Sequence, residues 1–173
     1  VPLLILTLYA FRLKGTPLAG NVMVSALVAY ALLFGSLGAP HFTHLLIPAV
    51  LAMLLNFCRE IIKDVQDAPG DRAAGISTTA VLGEKAVRRI IYGCSIVYFA
   101  LLFVPALLGH FGIVYAGVVA ATALPLSFLR LRKLHRPDWP TQCASISTLL
   151  KIEMLAGLLA LAIDRLATYM IMA

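Results

Sequence analysis

Negative charge is what this chain has least of. Only eight of its 173 residues are acidic, and none occurs before Glu60. Charged residues of both signs reach 13%, about half the share of an ordinary soluble domain. Hydrophobic residues make up 61%, and the mean hydropathy is +0.95. A soluble bundle of this composition would expose large adhesive patches, so that class is excluded. Cysteine is scarce too. Cys58, Cys94 and Cys143 are odd in number and lack metal-ligand spacing, which leaves them as small packing residues rather than disulfide partners or zinc ligands. Internal repeats and low-complexity tracts are missing, and no second soluble domain is expected.

What the chain has instead is a series of apolar runs about 20 residues long, each able to cross a hydrocarbon layer about 30 Å thick. The fold class is therefore all-α: a polytopic transmembrane helical bundle, read as one domain over residues 1–173. Residues 1–11 read as a partial first helix, and 19–38, 45–63, 86–108, 112–130 and 148–172 as five full spans. Asp64–Glu84 reads as a long polar loop with short helical turns. The opening VPLLILTLYAF has no basic segment before it and does not read as a signal peptide. It reads as a helix entered partway, so the expectation is an N-terminally incomplete portion of a longer protein.

The net charge of +6 does not point to nucleic acid, because the basic residues form no continuous face. They alternate between connections. Arg12 and Lys14 are followed by a 39–44 turn without Lys or Arg. The 59–89 region carries Arg59, Lys63, Arg72, Lys85, Arg88 and Arg89, the 109–111 turn carries none, and Arg130, Arg132, Lys133 and Arg136 follow. By the positive-inside tendency the basic side is cytoplasmic, which gives an integral protein of the cell membrane. Arg130–Arg136 reads mainly as a topology signal, and Trp139, between Pro137 and Pro140, as an interface anchor. Asp164 and Arg165, deep in the last span, read as pairing within the bundle or with a neighbour. His41 and His44 lie in the neutral turn and are not read as metal ligands. Gly35, Gly38 and Gly157 read as points of close helix packing.

Four of the eight acids, Glu60, Asp64, Asp67 and Asp71, fall within NFCREIIKDVQDAPGDRAAG. On a helix Asn56, Glu60, Asp64 and Asp67 share one face, and Pro69-Gly70 reads as its end, with Asp71 on the first turn beyond. Like charges at this spacing repel, and acids facing lipid are costly, so the stripe must face a wet cavity, cations or both. Arg59 and Lys63 flank it and offset part of the charge. Hard oxygen ligands suit Mg²⁺ shared between carboxylates and substrate phosphates. A solvated helix end with internal ion pairs accounts for the same residues. An EF-hand does not fit the spacing.

The stretch resembles the second Asp-rich motif of the UbiA superfamily of intramembrane prenyltransferases, approximately N-x-x-R-E-I-x-K-D-x-x-D-x-x-G-D-x-x-x-G. Asn56, Arg59-Glu60-Ile61, Lys63-Asp64, Asp67, Gly70-Asp71 and Gly75 match in register. Upstream, Tyr9, Leu13-Lys14, Pro17 and Gly20-Asn21 resemble the family's Y-[ST]-x-x-L-K-x-x-P-x-x-G-N, with Ala10 replacing the hydroxyl residue. After the motif, Thr78-Thr79-Ala80 stands where members usually read Thr-Leu-Pro. The branch with the most similar R-E-I-x-K-D core is that of digeranylgeranylglyceryl phosphate synthase. The family's first Asp-rich motif is absent here, so the resemblance covers the later part of its nine-helix bundle.

The resemblance implies Mg²⁺-dependent transfer of a prenyl group from an allylic isoprenyl diphosphate to a membrane-associated acceptor, geranylgeranyl to geranylgeranylglyceryl phosphate in that branch. It implies that Asp64, Asp67 and Asp71 are catalytic and hold the metal. Tyr9, Lys14, Lys63 and Arg72 would meet the diphosphate or the acceptor headgroup, with Asn56 and Glu60 lining the pocket. Lys14 equally serves as a topology anchor, Tyr9 as an interface aromatic and Arg72 as an ion-pair partner of Asp71. Lipid or aromatic acceptors and membrane lipids are the expected partners, and this chain alone is expected to be inactive. The alternatives are an aromatic, quinone-precursor prenyltransferase, an inactive remnant and a transporter, although a transporter would spread its acids through several spans.

The charge alternation makes a direct prediction. Reporter fusions placed in the 130–136 connector and in the 39–44 turn should report opposite sides of the membrane, the first cytoplasmic. Signals from the same side would overturn the topology.

Overall fold

In a computed structural model, residues 16–37 and 42–172 are described, and they form a helical bundle. The helices are α1 (Ala19–Phe34), α2 (Leu46–Ala73), α3 (Glu84–Leu102), the single turn α4 (Val104–Leu107), α5 (Ile113–His135) and α6 (Cys143–Met172). Short 3₁₀ turns at Phe42–Leu45, Thr79–Leu82 and Trp139–Gln142 join them. Among the described residues, four helical segments are long and apolar enough to cross a membrane: Phe42–Ala73, Glu84–Leu107, Ile113–His135 and Trp139–Ile171. The chain is an integral membrane protein. The fifth expected span is shorter than its apolar run. α1 has 16 residues, about 24 Å, and ends where Gly35 breaks the run and Ser36 Oγ donates to the Leu33 carbonyl at 2.7 Å. The expected partial helix at 1–11 lies outside the described residues.

α2 is the central element, packed on α1, α3 and α6. Its buried face carries Leu51, Leu55, Cys58, Ile61 and Ile62, which join Val87 and Ile91 of α3 and Ile146 and Leu150 of α6 in one core. The outward faces stay apolar: Ile96, Leu107, Ile113, Phe128, Leu166 and Tyr169 are all exposed. With lipid outside, that outer layer needs no polar cover.

The expected helix end at Pro69-Gly70 is corrected by the structure, and with it the reading of residues 64–73 as loop. α2 continues through Pro69 to Ala73. Proline removes only the bond to the Val65 carbonyl, one turn earlier. The actual stop is Gly75, whose φ of +70° permits a left-handed turn. Its N–H donates to the Arg72 carbonyl at 3.1 Å, and Ile76 N–H donates to the Asp71 carbonyl at 2.9 Å, which is a Schellman closure. Asp71 is therefore helical, and the stripe Asn56–Glu60–Asp64–Asp67–Asp71 runs unbroken for about 22 Å.

Two further readings change, and a third is made specific. Arg130 is not a loop cation. It is 1% exposed, on the inner face of α5, with its Nε donating to Glu153 Oε2 of α6 at 3.2 Å and its Nη1 to Ser95 Oγ of α3 at 3.0 Å. Ser127 donates to the other Glu153 oxygen. Trp139 is fully buried rather than at an interface, with the Arg88 guanidinium 5.8 Å from its ring centroid. Asp164 and Arg165 find partners within the bundle, as expected, each on a different backbone group. Asp164 accepts Gly112 N–H at 3.0 Å and Tyr115 N–H at 3.0 Å, capping the open amides at the start of α5 from across the bundle. A Cβ at Gly112 would lie 3.1 Å from that carboxylate, so a side chain there would push the carboxylate back by a few tenths of an ångström. Arg165 donates to the His110 carbonyl at 2.9 Å and sits over Phe111.

Removing one member of the buried Arg130–Glu153 pair strands the other charge. Glu153→Ala should destabilise the bundle by about 3–5 kcal/mol, whereas the double variant Arg130→Met/Glu153→Leu should recover most of the loss. Thermal unfolding in detergent reads the difference, and equal losses in both variants would refute the pairing.

Candidate functional site

The polar half of α2 meets two other segments: the start of α1 and the Thr79–Leu82 turn. Asp64 stands at their junction, half-buried. Its Oδ2 accepts Asn21 Nδ2 from α1 at 2.9 Å and the Thr79 N–H at 3.0 Å. Asn21 Nδ2 also donates to Thr79 Oγ1 at 2.9 Å, and the same hydroxyl oxygen accepts Leu18 N–H at 3.0 Å. Thr79 is fully buried. One carboxylate oxygen is thus held by two neutral donors from different segments, while Oδ1 makes no hydrogen bond among the described residues. Two turns deeper, buried Asn56 donates to Ser25 Oγ at 3.3 Å, and Ser25 Oγ donates to the Asn21 carbonyl at 2.6 Å. This polar thread ties α1 to α2.

The other expected site residues fall along the same helix with different surroundings. Glu60 is half-buried and paired with Arg59, so its charge is balanced by a neighbour. Asp71 is half-buried, and Asp67, Lys63 and Arg72 are exposed. Among the described residues, Lys63, Asp67, Asp71 and Arg72 make no side-chain hydrogen bond or ion pair. Arg72 is not the ion-pair partner of Asp71, and Lys63 does not offset the stripe by direct contact. Tyr9 and Lys14 lie outside the described residues.

Asp64, Asp67 and Asp71 fit Mg²⁺ in part. They are hard oxygen donors without competing cations in contact among the described residues. Yet Asp64 and Asp71 are seven residues apart, about 10 Å along the axis, whereas Mg²⁺ binds oxygen at about 2.1 Å. Among the described residues no three His, Cys, Asp or Glu side chains converge on a metal-sized position. The expected three-carboxylate grip on one ion is not formed. Neighbouring pairs, 64 with 67 or 67 with 71, can each share an ion whose remaining ligands come from water and phosphate.

The sequence reading did not place Asn21, Ser25 or Thr79 in the site. Asn21 carried a signal, as the amide ending the Gly20-Asn21 match within an apolar run. Thr79 sat in the segment that departs from the family pattern, and only the fold shows that it turns back onto Asp64.

Comparison with known proteins gives a consistent picture. The model of the UbiA prenyltransferase family matches residues 1–155. A digeranylgeranylglyceryl phosphate synthase from Korarchaeum cryptofilum is 34% identical, over 90% of this chain and 56% of its own length. One from Methanopyrus kandleri is 37% identical, over 90% and 57%, and one from Methanoregula boonei 38%, over 90% and 56%. The chain thus spans little more than half the length of these curated relatives. A solved structure concerned with digeranylgeranylglyceryl phosphate synthase in membranes superposes with a TM-score of 0.85 at 26% identity, covering 93% of this chain and 57% of that one.

The clamp on Asp64 predicts graded losses. In the full-length protein, Asn21→Leu removes the donor shared by Asp64 and Thr79, and Mg²⁺ affinity should fall about 10- to 100-fold, as for other groups that orient a metal ligand. Thr79→Val keeps the backbone N–H bond and should lose less. Titration calorimetry orders the two, and equal affinity in all three proteins would remove Asn21 and Thr79 from the site.

Proposed function

The chain belongs to the UbiA prenyltransferase family, and on that premise we propose that it supplies one acidic half of a membrane site for prenyl transfer. The donor is an allylic isoprenyl diphosphate. The acceptor is a membrane lipid hydroxyl, that of geranylgeranylglyceryl phosphate, in keeping with the names of the relatives. The full-length protein carries out the transfer, with the acidic motif on the cytoplasmic side. The single observation behind this reading is Asp64: one oxygen held by Asn21 and Thr79, the other without a hydrogen bond among the described residues, on the same helix as an apolar cavity lined by Leu51 and Leu55. A diphosphate headgroup needs the first feature and an isoprenoid tail the second.

The residues divide the work. Asp64, Asp67 and Asp71 would hold Mg²⁺ in neighbouring pairs with phosphate oxygens, and the metal supplies neutralisation of the charge on the departing diphosphate. Lys63 and Arg72, exposed beside the stripe, reach phosphate oxygens of donor or acceptor, and Tyr9 and Lys14 are assigned the same partners. Asn56 and Glu60 line the wall between headgroup and tail. The bond between the allylic carbon and the diphosphate oxygen breaks with its electron pair going to the diphosphate. The acceptor oxygen then bonds to that carbon and its proton passes to water. The apolar wall below Asn56 keeps water from capturing the electron-poor carbon first.

Reconstituted full-length protein should transfer geranylgeranyl to geranylgeranylglyceryl phosphate in a Mg²⁺-dependent manner. Asp64→Asn and Asp71→Asn should each abolish transfer while membrane insertion is unchanged. Full activity in the double variant would remove the metal assignment, and transfer to an aromatic ring in preference to the glyceryl phosphate would replace the acceptor.

A further inference from the structure

Between α1, α2, α3, α5 and α6 lies a cavity of about 250 Å³ with an almost wholly apolar wall. Its lining runs along α2 from Pro48 to Leu55, next to Asn56, and along α6 from Glu153 to Leu161. Leu55 marks the end toward Asp64 and Pro48 the far end. The α6 stretch is about 12 Å long, and Gly157 stands halfway along it, one turn from Glu153 and one turn from Leu161.

Gly157 has no packing or backbone reason to be glycine. A Cβ built there meets no atom within 4 Å, and its φ lies outside the left-handed range. The close helix packing expected for it is therefore not what it provides. Glycine here leaves the space beside α6 open where any side chain would enter it. That space is the cavity.

We propose that Gly157 determines the length of isoprenoid chain the site accepts. This inference rests on the prenyl-transfer function proposed above. An apolar cavity of about 150 Å³ takes one benzene, six carbons. The volume here, about 250 Å³, holds roughly ten carbons on the same scale, or two five-carbon units. A leucine side chain at Gly157 would take the space of four of those carbons and close the half of the cavity farther from Asp64. Leu55 is nine residues from Asp64, about 13 Å along α2, so the first units of any donor lie between headgroup and cavity and only the far units of a long donor enter it. A long donor would lose its place for nearly one five-carbon unit, and a short donor, ending near the cavity mouth, would lose nothing.

The test uses the full-length protein in membranes or detergent. Wild type, Gly157→Ala, Gly157→Leu and Gly117→Leu are compared with geranyl, farnesyl and geranylgeranyl diphosphate. Gly117 on α5 is also free of neighbours but does not line the cavity, so its variant controls for a larger residue in a helix. The kcat/KM ratio of geranylgeranyl to geranyl donor should fall roughly tenfold or more in Gly157→Leu, with Gly157→Ala intermediate and Gly117→Leu unchanged. Competition binding of the three thiolodiphosphates, which do not react, should show the same order. An unchanged ratio in both assays, with wild type active, overturns the inference and leaves prenyl transfer standing. Absence of transfer in wild type with the binding order intact overturns the function and leaves the chain-length role standing. Should Gly157→Leu fail to fold, an unshifted Gly157→Ala ratio in both assays overturns the inference alone.

Discussion

A carboxylate placed among membrane helices persists only where donors converge on it, because lipid offers none. Three of the acids in this chain meet that constraint in three ways. Glu153 is closed off by Arg130 and Ser127. Asp164 absorbs the open amides that begin α5. Asp64 receives two neutral donors on one oxygen, and its other oxygen makes no hydrogen bond among the described residues. The first two use up their charge in holding helices together. The third is held in position by neutral donors, with no cation paired to it among the described residues, which is what a site for cations and phosphates needs.

The distribution of these solutions organises the bundle. The Arg130–Glu153 pair joins α5 to α6 and reaches α3 through Ser95. The Asp164 cap joins the far part of α6 to the start of α5. The thread from Asn56 through Ser25 to Asn21 joins α2 to α1 and ends at the Asp64 clamp. Polar contacts thus set which helices are neighbours, while the apolar core supplies area without direction. The cavity lies between these polar contacts, walled mostly by aliphatic side chains, with Tyr98, Tyr115 and Glu153 among them.

Much of this was legible in the residues themselves. The apolar runs required spanning helices, and α2, α3, α5 and α6 occupy four of the runs. The register of Asn56, Glu60, Asp64, Asp67 and Asp71 required a common face, and α2 provides it. The family followed from two matches in order, Tyr9 through Asn21 and Asn56 through Gly75. Local punctuation was read less well. Pro69 looked like a stop, yet a proline costs a helix one bond, and flanking turns with a closing Gly75 carry it through. Arg130 looked like a loop cation because it opens a basic run, whereas its partner Glu153 is 23 residues away and no local pattern links them. Trp139 next to prolines looked interfacial for the same lack of long-range information.

By itself, then, the sequence determined composition-driven properties: helices that face lipid, the acidic face of α2, and membership of a prenyltransferase family. Each depends on spacing within one segment, which the period of a helix converts directly into geometry. Only the tertiary structure decided that Asn21 and Thr79 hold Asp64, that Arg130 is buried against Glu153, that the three aspartates do not converge on one ion, and that Gly157 borders open space. Each of these depends on segments far apart in the chain coming together, and helical period carries no information about which faces meet.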